Sequence, residues 1–186
     1  MRESTKTIVM WAAAAVVAAW IAMLLHEGAH YLLAVLVYPR PWSEGVPRIS
    51  RGIVAASGPA STMLLLGLVA WKADAARLLS EKLSRPAVFV LVVSLGLAAA
   101  SRAIVMAPLM SRGRFGGDET AIASGLNLPV FIFGVPEFLI SVAGAIWLYS
   151  RIPTSQRLPA IAGSTAALIA GWITIIWIGP RLGLPI

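Results

Sequence analysis

The sequence predicts an all-α fold: a polytopic helical membrane protein with about five to six transmembrane segments. Three observations predict it. Hydrophobic residues make up 59% of the 186 and charged residues only 12%, against about 25% charged in soluble domains. The mean hydropathy is +0.84. Long apolar runs alternate with short, mostly arginine-bearing connections, and a helix is one of only two structures that satisfy their own backbone in lipid.

The first apolar run covers residues 8–38. At about 1.5 Å per residue it would reach about 46 Å, longer than a hydrocarbon core of about 30 Å, so it must tilt or protrude. It begins like a signal peptide but continues too far for one, so a span is expected. Four further runs follow at residues 53–71, 87–108, 129–149 and 160–178, with Trp71, Trp147 and Trp177 near their ends, as interface aromatics fall.

The connections differ. Residues 39–51 carry three prolines and cannot be helical throughout. Residues 72–85 have helical spacing and mixed charge, which reads as a short amphipathic surface helix. Residues 109–119 are glycine-rich and end in Asp118 and Glu119, and a helix capped by these acids is expected over the following "ETAIASGL". No repeat and no second domain is visible. One transmembrane domain spans 1–186, with a motif-bearing core at about 8–129 and accessory spans at about 129–186.

The formal charge is +7, yet the 15 Lys and Arg form no block. They read as anchors on anionic lipid head groups rather than as a nucleic-acid surface. Arg102 alone falls inside a span. The remaining basic residues divide eight to six between the two sides, too even to orient the chain. Cysteine is absent, which excludes disulfides and thiolate metal sites. Asn127 and Gln156 are the single residues of their types, a scarcity of thermolabile side chains.

One stretch contradicts its surroundings. "HEGAH" places His26, Glu27 and His30, including both histidines of the chain, within the first apolar run. Ionisable groups at that depth are costly and mark function. On a helix, positions i and i+4 lie about 40° apart in azimuth, so both imidazoles share a face and can reach one zinc at about 2.0–2.1 Å. Glu27 lies beside the pair, positioned to handle the proton of a zinc-activated water. A third protein ligand must be a carboxylate, because no other His or Cys exists. Glu3, Glu44, Asp74 and Glu81 read as solvated, and Glu137, directly after Pro136, as a first-turn glutamate of a half-helix. Asp118 is favoured and Glu119 comes second, since Gly116 and Gly117 let the backbone approach a metal.

HEGAH, then "AASGPAST" at 55–62, then "APLMSRGRFGGDETAIASGLNLP" at 107–129, together resemble the site-2 protease family of intramembrane zinc metalloproteases, in its small, PDZ-less form. The likeness covers roughly residues 8–129. It implies His26, His30 and Asp118 as zinc ligands and Glu27 as the catalytic residue. Of the family's G-P-x-x-N motif, Gly58 and Pro59 match while Thr62 stands at the Asn position. Of its N-x-x-P motif Pro108 matches and Val105 stands for the Asn, and the acid comes as G-D-E, farther from the proline. The resemblance implies a multi-pass cell-membrane enzyme that hydrolyses transmembrane protein substrates within the lipid bilayer. The proline-rich stretch 39–51 is a candidate edge for an unwound substrate segment to join as a strand. Small residues at 55–61 suit close packing of the second span on the HEGAH helix, so bulk at Gly58 should damage the site. A membrane zinc transporter and a non-catalytic scaffold of protease ancestry are the alternatives.

Overall fold

The structure, a computed structural model, describes the backbone of residues 2–37, 48–110 and 117–165, with side chains placed except at 2–4, 48, 102–110 and 117. Five helices are bounded: α1 Arg2–Val37, α2 Arg48–Lys82, α3 Pro86–Met110, α4 Gly117–Leu126 and α5 Phe131–Arg151. Residues 154–165 are also helical, and no strand occurs among the described residues. The all-α reading therefore holds. Three helices, Thr5–Val37, Ile49–Lys82 and Phe131–Arg151, are long and apolar enough to cross a membrane, and Pro86–Ser101 is a shorter apolar stretch.

Three sequence expectations are corrected. Residues 72–85 do not form a separate surface helix, because α2 runs unbroken from the apolar segment to Lys82. Neither Gly nor Pro interrupts residues 68–85. The stop comes at Ser84, whose φ of 50° leaves the helical region just before Pro86. Glu137 does not start a half-helix either. Pro136 lies inside α5, which begins at Phe131. Pro136 removes only the bond to the Ile132 carbonyl, within the second turn, and the helix continues. The second run also starts earlier than expected, at Arg48, so the end of the 39–51 connection is helical. Residues 39–47, the candidate substrate edge, lie outside the described residues, as do residues 166–178 of the last run.

The bundle packs on small residues. Trp11 of α1, Leu66 and Val69 of α2, Val90 and Val93 of α3, and Leu148 of α5 form the main buried cluster. Ala18 and Ala22 of α1 meet Ala98 of α3 farther along. Alanines with no side-chain entropy to lose let these helices approach closely. The outward faces are equally apolar: Leu24, Leu32, Leu36, Tyr31 and Leu64 are all exposed.

Two cation-bearing aromatics set one level of the bundle. Lys72 Nζ sits 3.6 Å from the Trp71 ring and the Arg151 guanidinium 3.9 Å from the Trp147 ring. Trp147 Nε1 donates to the Ala70 carbonyl at 3.4 Å, so α2 and α5 carry this belt side by side. At the opposite end α4 crosses α2 at a glycine pair, where a Cβ added to Gly52 would lie 3.2 Å from Gly125 Cα. That crossing brings the start of α4 down against α1 and α2.

Candidate metal centre

His26 is buried and His30 half-buried on one face of α1, as their spacing requires. Their rings meet edge to face, with centroids 4.8 Å apart at 88°. The Nε2 atoms point into one space, 3.2 Å apart. Asp118, in the first turn of α4, closes the figure. Its Oδ2 lies 2.9 Å from His26 Nε2 and its Oδ1 3.4 Å from His30 Nε2. Ligand atoms of these three residues all lie within 4.8 Å of one another.

The two Nε2 atoms lie 3.2 Å apart, and the carboxylate faces them with a different oxygen toward each, Oδ2 toward His26 and Oδ1 toward His30. Two imidazoles and one carboxylate are also a donor set that leaves a fourth position open. The group is one that could hold a metal ion, and its donor chemistry is compatible with zinc.

Helix α2 supports the rings from behind. His30 Nδ1 donates to the Val54 carbonyl at 2.8 Å. A carbonyl only accepts, so the proton of a neutral His30 ring sits on Nδ1 and Nε2 presents its lone pair to the site. Ser57 Oγ donates to the same carbonyl at 2.6 Å and lies 3.3 Å from His30 Nδ1. Pro59 lies inside α2 and leaves the Ala55 carbonyl without its usual helical donor. Thr62 Oγ1 lies 3.0 Å from His26 Nδ1. Between Val54 and Thr62, Gly58 presents bare backbone to the rings. A Cβ there would overlap His30 Nε2 and stand 2.6 Å from His26 Cε1.

Among the expected ligands, the structure brings together His26, His30 and Asp118. Glu119 is buried beside Asp118 but lies outside the group, and so does the buried Glu137 of α5. Glu27 is half-buried next to His26 and supplies no ligand atom. Sequence reasoning missed the Val54 carbonyl and Ser57, and it met Thr62 only as a motif position without its Asn. A backbone acceptor leaves no mark in residue type. Thr62, however, could have been found by its spacing of four from Gly58.

The geometry thus defines a class: an all-helical bundle with membrane-length helices that converges two imidazoles and a carboxylate on one point. Compared with protein-family models, curated proteins and solved structures, the chain matches none.

Proposed function

We propose that the chain is a multi-pass intramembrane zinc metalloprotease of the cell membrane, cutting membrane-embedded protein segments. The observation that carries this reading is the convergence of His26, His30 and Asp118 on one point in a bundle that has three helices long and apolar enough to cross a bilayer. Gly58 is thirteen residues from Trp71, about 20 Å along α2, and about 10 Å from Arg51 at the other end. In a membrane the site would thus lie inside the hydrocarbon region, and its acid and imidazoles need a compensating charge there.

When bound, zinc supplies a Lewis acid and an activated water. The chain's own residues do the rest. Glu27 follows His26 directly, so its carboxylate is rotated about 100° from the ligand and reaches beside the site rather than into it. From there it accepts a proton as water attacks the peptide carbonyl and returns it to the amine nitrogen as the C–N bond breaks. Half-burial of Glu27 and His30 keeps a way open for water and for an unwound substrate backbone. A zinc transporter would require ligand groups at successive depths, and the described residues hold one such group.

The test is Glu27→Gln. The purified variant should retain about one zinc per chain, as the parent does, and should no longer cleave a co-expressed membrane substrate that the parent cuts. Cleavage at the parental rate would remove Glu27 from the mechanism and the protease reading with it.

A further inference from the structure

The sequence left one oddity unabsorbed: Thr62 stands where the resembled motif has Asn. In the structure its hydroxyl touches two groups. One is His26 Nδ1 at 3.0 Å. The other is the carbonyl of Gly58, one helical turn earlier, also at 3.0 Å. A hydroxyl has a single proton, and a carbonyl can only accept. With the Thr62 proton given to Gly58, what Thr62 offers His26 is a lone pair. Thr62 is itself 3% exposed, so no bulk water competes for that lone pair.

We propose that Thr62 is a positioning residue that fixes which nitrogen of His26 binds the metal. Its lone pair requires the proton on Nδ1, and the Nε2 lone pair then faces His30 Nε2 and Asp118. The Val54 carbonyl does the same for His30 from the same face of α2. Both rings are thus set to one tautomer by a single helix, through one side chain and one backbone atom. An Asn at position 62 would carry a donor and an acceptor on one rotatable amide and would have to be oriented in turn. The threonine needs no such partner, because helical back-bonding to the residue four before it already orients the hydroxyl. Partners of this kind hold ligand histidines in orientation and typically change metal affinity by about 10–100-fold when removed.

This inference rests on the metal reading of His26, His30 and Asp118, and the experiment separates the two. Zinc affinity is measured by competition with a chromophoric chelator for the parent, Thr62→Val, Thr62→Ala and Thr62→Ser. In parallel, 15N-histidine spectra of the zinc-loaded parent report which ring nitrogens carry protons. The chain has only two histidines, and both rings should show a proton on Nδ1, so no ligand needs to be substituted to read the spectrum. Val and Ala should weaken zinc binding by about 10–100-fold, and Ser should remain within about threefold of the parent. The parent spectrum should show His26 protonated at Nδ1. Parental affinity in both Val and Ala variants, or zinc on Nδ1 of His26 in the parent, overturns the role of Thr62 while leaving the metal site intact. A parent that binds no zinc overturns the metal reading and this inference together. Should Val and Ala fail to fold, the parent spectrum still decides.

Discussion

Gly58→Ala adds one methyl group and, if the proposed site binds zinc, should weaken that binding. The new Cβ would lie 2.5 Å from His30 Cε1 and 2.6 Å from His26 Cε1. Carbon atoms rest at about 3.5–4.0 Å, so each ring must retreat by about 1 Å. Exposed rings could swing aside, but these are tied from behind. His30 Nδ1 is held 2.8 Å from the Val54 carbonyl and His26 Nδ1 3.0 Å from Thr62. A retreat of about 1 Å is half a zinc–nitrogen bond of about 2.0–2.1 Å, enough to break one. Overpacking of this kind costs about 1–3 kcal/mol. Charged wholly to binding, that weakens zinc by about 5- to 150-fold at 1.4 kcal/mol per tenfold. The opposing effect is helix propensity, where Ala gains up to about 1 kcal/mol over Gly. That gain acts on the helix with or without zinc and cannot restore affinity. Zinc per chain after dialysis and chelator competition measure the outcome, with a melting curve of the zinc-free protein as control. A variant that holds zinc as tightly as the parent would refute the claim that α2 backbone contact sets the ring positions.

Two further outcomes are expected. Asp118→Ala should empty the site, whereas Glu119→Ala should keep about one zinc in the protein that folds; metal analysis of both decides between the neighbouring acids, and retained zinc in both would exclude Asp118 as a ligand. Gly96→Val should destabilise the bundle by about 1–3 kcal/mol, because a Cβ there meets Leu148 Cδ1 at 2.5 Å and Val69 Cγ1 at 2.7 Å. Zinc content of its folded fraction should stay parental, since Gly96 packs against the core and not against the histidines, and a thermal melt with metal analysis checks both halves.

The boundaries that the sequence misplaced share a cause. The amphipathic stretch 72–85 was separable on composition, because its charges mark where lipid would end. A helix does not stop where its surroundings change, only where its backbone bonds fail, and α2 meets no such break before Ser84. Pro136 looked like a beginning because proline favours the first turn. Inside α5 it costs one hydrogen bond, and the helix simply continues around it. Between Asp118 and Glu119 the sequence gives a preference for Asp118 but no geometric reason. Adjacent residues on a helix differ by about 100° in azimuth, and only the packing of α4 on α2 at Gly52 and Gly125 sets which of the two turns toward the histidines.

By itself the sequence determined that the chain is helical and apolar, and that His26 and His30 share a face, because hydropathy and the helical repeat are local properties of consecutive residues. It narrowed the candidates for a third group beside them to a few acids, since an absent residue type is as legible as a present one. Only the tertiary structure decided that Asp118 closes the group at 2.9 and 3.4 Å, and that Val54 and Thr62 hold the rings from behind. Those contacts join residues 24 to 92 positions apart, and distances of that kind are fixed by how helices pack, which no local pattern encodes.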